Sequence, residues 1–220
     1  MARCCDPRGC ERFFTARYAH RAANRYRRRG LDGTARRMVG FLESELIAGA
    51  TVLEIGGGVG EIGLELLKRG ACRAVNLELS PSYDHEAAAL AADAGVQDRT
   101  VRRRLDIALE PAAVEPADVV VLHRVVCCYP DYERLLGAAA GRARRLLVFS
   151  HPPRNAVSRA LLAAQNAWFR ISGSPFRTFA HPPGAMIETL ERAGLRSVFS
   201  HRGRAWWAAG FERPPAARLG

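Results

Sequence analysis

From Phe14, the apolar or aromatic positions Tyr18, Ala22 and Tyr26 recur every fourth residue with arginines between them. That spacing predicts one face of an amphipathic helix ending near Gly30. A second helix is expected with Asp32 or Thr34 as its N-cap, an apolar stripe of Met38, Phe41, Leu42 and Leu46, and a stop at Gly49. Beyond Gly49 the period shortens. β-rich runs at 51–55, 73–78, 100–105, 118–123 and 145–150 alternate with helical stretches at 61–68, 85–94 and 132–143. Such alternation implies a parallel sheet with right-handed crossovers and helices on both faces. The last third departs from this rhythm, with a long helix at 155–171, a proline-bearing loop, and a helix at 183–193. The segment RSVFSHRGRAWWAAGF then reads as two strands around an Arg-Gly turn, an antiparallel hairpin closing the sheet.

At 220 residues, 48% of them hydrophobic, the chain can bury one substantial core. The expected organisation is a basic helical cap over 1–49, one main domain over 50–212 and a tail over 213–220. No apolar run reaches the roughly 20 residues that a membrane span requires, and Arg3, Cys4, Cys5 and Asp6 do not suit a signal peptide. A cytoplasmic location and reduced thiols are therefore expected. The net charge is +11, and Lys68 is the single lysine among 33 basic residues. Residues 1–37 hold eleven arginines against Asp6, Glu11 and Asp32. This head could attract nucleic acid, an anionic lipid surface or an acidic substrate. No aromatic-and-basic recognition motif accompanies it, which disfavours nucleic acid.

After the first predicted strand comes VLEIGGGVGEIGLELL. A strand entering closely spaced glycines and then a helix lets the backbone approach a ligand and aims the helix N-terminus at it. Gly58, Gly60 and Gly63 satisfy the dinucleotide pattern of an NAD enzyme, whereas Glu54, Gly56, Gly58 and Gly60 satisfy E-x-G-x-G-x-G. Either places Glu78 where a carboxylate can accept from ribose hydroxyls, so Glu54 discriminates. A buried carboxylate in that strand needs a compensating partner. The second pattern resembles motif I of the class I S-adenosylmethionine-dependent methyltransferases. The resemblance implies a Rossmann-like α/β fold with seven strands in the order 3-2-1-4-5-7-6, and covers residues 50 to 212. It implies a cofactor site of Glu54, Gly56, Gly57, Gly58, Gly60, Glu78 and Leu79, completed by Asp106 and Ile107 at the adenine and by His123.

Methyl transfer from a sulfonium needs in-line approach, exclusion of water and, for some acceptors, a base. In the resembled fold the acceptor sits beyond the fourth and fifth strands, near His123, Arg124, Tyr129, Ser150, His151 and, on a later loop, His181. His123 and His151 are the candidate bases, and Tyr129 a candidate to orient the acceptor or to pack under the first helices. Trp206 and Trp207 alternate across a strand and carry no expected cofactor role. No D/N-P-P-Y signature of amino acceptors is present. The Y-P turn after strand four and LLVFSHPPRN bear a looser likeness to the magnesium protoporphyrin and ubiquinone O-methyltransferases. That likeness implies a small-molecule oxygen acceptor, hydroxyl or carboxylate, which the basic head would suit if anionic. A non-catalytic binder of S-adenosylmethionine or S-adenosylhomocysteine and a nucleic-acid methyltransferase remain open alternatives. Cys4, Cys5 and Cys10 lack zinc-knuckle or radical-cluster spacing. No metal is expected, and the three thiols should pack over the site entrance near Cys127 and Cys128.

Overall fold

A computed structural model of the chain describes residues 9–45 and 47–215, apart from the side chain of Glu11. Seven strands form one sheet in the order β3-β2-β1-β4-β5-β7-β6. β1 (Thr51–Ile55), β2 (Arg73–Leu77), β3 (Thr100–Arg103), β4 (Ala117–Leu122) and β5 (Ala143–His151) run parallel. β7 (Trp207–Glu212) pairs antiparallel with both β5 and β6 (Arg196–Arg202), which is the predicted hairpin. The sequence-predicted strands agree with these spans to within a few residues.

Because side chains alternate along a strand, each strand feeds two cores. Val52, Val119, Val121, Leu146 and Val148 face α3 (Gly33–Ser44), α4 (Glu61–Lys68) and α5 (Asp84–Asp93). Leu53, Ile55, Val120, Leu122, Leu147 and Phe149 face α6 (Tyr132–Arg142) and α8 (Pro183–Arg192). α3 begins at Asp32, whose carboxylate accepts from the Thr34 and Ala35 amides, and it buries Met38, Phe41 and Leu42. The helix ends at Ser44, five residues before Gly49, and Leu46 lies outside the described residues.

α1 (Cys10–Phe13) and α2 (Ala16–Arg29) extend over the carboxyl ends of β1, β2 and β4. The predicted apolar face of α2 packs inward except at Tyr18, with Phe14 and Ala22 partly buried against the core. Ala19, Ala23 and Tyr26 are buried, whereas Tyr18 is 46% exposed. Small residues let α2 approach α5 closely, which turns the Phe14–Tyr18–Ala22 stripe toward a cavity. The long helix α7 (Ala156–Ile171) starts at Asn155, which caps it through Ser158 N–H, and packs on the rest through Phe169 alone among its fully buried residues. The loop after α7 holds α1 in place, with Phe176 stacked on Phe13 at 4.3 Å.

Candidate active site

β1 runs into Gly56, Gly58 and Gly60, with φ of 63°, 55° and 80°, a left-handed conformation that glycine adopts without penalty. Gly57 is required for a different reason. A Cβ there would lie 2.6 Å from the Glu54 carboxyl carbon and 2.8 Å from Asn76 Oδ1. The turn is then tied down from both sides. Gly58 N–H donates to Glu78 at 2.9 Å, Ser80 N–H donates to the other Glu78 oxygen at 2.9 Å, and Arg102 donates to the Gly58 carbonyl at 2.7 Å. Burial pushes the Glu78 carboxyl up, against the two amides that favour its charged form. Glu54, 2% exposed, accepts from Gly63 N–H at 3.0 Å, and burial raises its pKa from 4.5 to about 8.

In front of the turn lies a cavity of about 540 Å³. Gly56, Gly57, Gly58, Glu78 and Leu79 form one wall, and Asp106, Ile107 and Tyr129 another. Asp106 accepts from Ala108 N–H at 3.0 Å and from the Tyr129 hydroxyl at 3.1–3.2 Å. Glu54 and Gly60 lie behind the turn, outside this cavity. Further lining comes from the first helices, through Phe13, Phe14, Tyr18, Arg21 and Arg25, and from His123 and Arg124 at the end of β4.

His123 has both ring nitrogens engaged. Nε2 meets Asp32 at 3.2 Å and Nδ1 meets Ser150 Oγ at 2.9 Å. Ser150 Oγ also accepts from Arg124 N–H at 2.9 Å, so the ring is held from both sides by groups that are themselves fixed. Arg124 Nη2 also pairs with Asp32, at 2.9 Å, and its guanidinium stands 4.9 Å over the Trp206 ring. Burial opposes ionisation of Asp32, but the hydrogen bond and charge of His123, with the charge of Arg124, hold its carboxyl well below the usual range. Arg124 has φ 57°, the one non-glycine residue in the left-handed region among the described residues. Arg25 Nη2 donates to both carboxylate oxygens of Glu61, at 2.8 and 2.9 Å.

The two other histidines named from sequence sit apart from the cavity wall. His151 has the opposite parity to Ser150 on β5, so it faces the other core, stacked on Phe149, with Nδ1 bonded to the Pro152 carbonyl at 2.9 Å. His181 Nε2 donates to the Tyr129 carbonyl at 2.9 Å. Burial lowers the pKa of both rings. Trp206 lies in the turn before β7, so strand alternation does not govern it, and it reaches the cavity. The aromatic wall, Asp32 and Trp206 were missed in the sequence reading. For Asp32 the available signal was its N-cap position combined with the parity of His123.

Cys10, Cys127 and Cys128 line the same cavity, while Cys4 and Cys5 lie outside the described residues. The Cys127 and Cys128 sulfurs are 3.7 Å apart, and that hydrogen bond together with burial pushes the Cys128 thiol up. Among the described residues no group of three or more His, Cys, Asp or Glu is placed to hold a metal ion.

The chain matches a methyltransferase-domain family over residues 18–212. No curated protein matches it. Among solved structures, magnesium protoporphyrin IX methyltransferase from Synechocystis PCC 6803 with bound SAH superposes with a TM-score of 0.71 at 18% identity, covering 93% of this chain and 98% of that one. The same enzyme with bound SAM gives 0.65 at 17% identity, covering 90% and 84%. An O-methyltransferase family 2 protein from Planctomyces limnophilus DSM 3776, in complex with apigenin, gives 0.67 at 22%, covering 97% of this chain and 63% of that one.

Proposed function

The chain belongs to the methyltransferase-domain family, whose methyl donor is S-adenosylmethionine, and from that premise we propose that it methylates a carboxylate oxygen of a small, largely apolar acceptor. The fit of the donor rests on the wall described above. Glu78 and Asp106 offer carboxylate oxygens to hydroxyl and amino groups, the bare glycine backbone permits close approach, and buried Ile107 offers an apolar surface. When bound, that donor supplies an electrophilic methyl group on a sulfonium. The chain's own residues then bind, orient and exclude water.

One observation carries the choice of acceptor. His123, the histidine in the cavity wall, has both nitrogens occupied, and His151 and His181 face elsewhere. A hydroxyl acceptor would need a base, whereas a carboxylate is already ionised at neutral pH. Arg21 on α2 and Arg124 at the end of β4 bring positive charge to the acceptor side, and Phe13, Phe14 and Tyr18 supply the apolar wall. His123 acts in this reading as a positioning residue, clasping α3 to the sheet edge, and Tyr129 holds Asp106. The likeness in fold to the porphyrin enzyme is compatible with this chemistry and does not identify the molecule.

The test is release of S-adenosylhomocysteine with matched panels of aromatic carboxylates and phenols. The expected result is turnover of carboxylates with a rate that is flat between about pH 6 and 8. Turnover confined to phenols, rising through the imidazole range and abolished in His123→Gln, would favour a base-assisted hydroxyl acceptor instead. Tight cofactor binding with no turnover of either panel would favour a non-catalytic module.

A further inference from the structure

α7 carries two apolar faces. The inner one belongs to the cavity: Leu162 and Gln165 line it, and buried Phe169 meets Phe13 and Phe176 edge-on at 5.3 and 5.6 Å. The outer one is left largely uncovered by the described fold. Val157, Leu161, Trp168 and Ile171 are 68%, 66%, 66% and 80% exposed. At 3.6 residues per turn these four and exposed Ala164 fall within an arc of about 80°. Seven large hydrophobic side chains are exposed among the described residues, and four of them share this stripe, so it is a patch and not the usual scatter.

We propose that the outer face of α7 seats the protein on an anionic lipid bilayer, lying in the plane of the surface with its stripe at headgroup depth. Charge selects this occupant. The chain carries +11, Arg154 is exposed one residue before the α7 N-cap, and Arg17 and Arg21 are exposed on α2, which walls the same cavity as Leu162 and Gln165. A second copy apposed through so narrow a stripe would bring two strongly cationic chains together, whereas an anionic surface attracts the same charges. Tryptophan beside aliphatic side chains suits the boundary between headgroups and acyl chains, and such binding needs no spanning segment. None of the described helices is long and apolar enough to cross a membrane. The inner side of the docked helix would then face the cavity, one helix diameter from the lipid.

Flotation of the full chain with unilamellar vesicles tests this. Vesicles of phosphatidylcholine containing phosphatidylglycerol should carry the protein, pure phosphatidylcholine vesicles should carry little, and added salt should release it. The Leu161→Gln, Ile171→Gln double variant should lose about tenfold or more of its partitioning without any change of charge. Its thermal stabilisation by S-adenosylhomocysteine should match the parent, which shows an intact fold. The proposal is overturned by a parent chain that stays with the protein fraction, by a double variant that floats equally well, or by sedimentation showing a parent dimer that the substitutions dissociate.

Discussion

At the scale of residues, the back of the glycine turn is governed by one register. Glu54, Asn76 and Arg102 are aligned partners across β1, β2 and β3, a polar row on the face otherwise packed with Val52, Val119 and Val121. The row sets both the closeness of Gly57 and the hydrogen bond on the Gly58 carbonyl. Because burial raises the Glu54 pKa to about 8, the folded state binds a proton that the unfolded chain has released. Stability therefore falls as pH rises from the ordinary carboxylate value toward about 8, and levels off above it. Glu54→Gln keeps an acceptor for Gly63 N–H and removes the titration. Its melting temperature should gain on the parent's between about pH 5 and 8, and parallel profiles would show that Glu54 is not the proton-binding group. The acid at position 54 was legible as a departure from an apolar strand. Its partners were not, because strand register is a tertiary property.

At the scale of elements, the site depends on how α3 is clasped to the sheet. Asp32 does two jobs with two oxygens: Oδ1 caps α3 through Thr34 and Ala35, and Oδ2 meets His123 and Arg124. Asp32→Ala should cost about 1–3 kcal/mol in urea unfolding at neutral pH. Asp32→Asn, which keeps the cap and loses the ion pairs, should cost less than Asp32→Ala but more than nothing, and an unchanged stability in Asp32→Asn would mean that the clasp contributes nothing beyond the cap. Since its carboxyl is held below the ordinary range, this contribution persists at neutral pH and is lost only as pH falls through that depressed value. The cap was predictable from LDGTARR. The clasp was not, since Asp32 and His123 are 91 residues apart. The two predicted bases have different fates because they meet opposite sides of β5. His123, one residue past β4, meets Ser150 on β5, whereas His151 points the opposite way from Ser150 and stacks on Phe149.

At the scale of the whole molecule, charge is distributed through the fold as well as at its N-terminal head. Arg25, Arg27, Arg69, Arg102, Arg124 and Arg196 are each engaged in ion pairs. Exposed pairs of this kind contribute little to stability individually, so the apolar layers on the two faces of the sheet carry the fold. A ligand that binds only the folded chain adds to that. S-adenosylhomocysteine at a hundred times its dissociation constant should stabilise by about 2.7 kcal/mol and raise Tm by roughly 5–10 °C. NAD at the same concentration should leave Tm unchanged, and a larger shift with NAD would reverse the assignment of the turn.

Alternation, caps and the E-x-G-x-G-x-G run are local signals that survive in one dimension, so the elements are legible without a structure. Those signals placed β1 and α4 at their observed ends, and the resemblance carried by that run implied the strand order and the residues of the turn, of which Glu78, Asp106 and Ile107 meet Gly56, Gly57 and Gly58 around one cavity. Which side of each element is used follows from packing between distant segments. α2 turns Ala19, Ala23 and Tyr26 inward and Tyr18 and Ala22 to the cavity, His123 is closed off by Asp32 and Ser150, and α7 leaves four large apolar side chains uncovered. A periodic pattern gives the angle between side chains on one element. What stands opposite each of them depends on segments distant in the chain, and only packing brings those together.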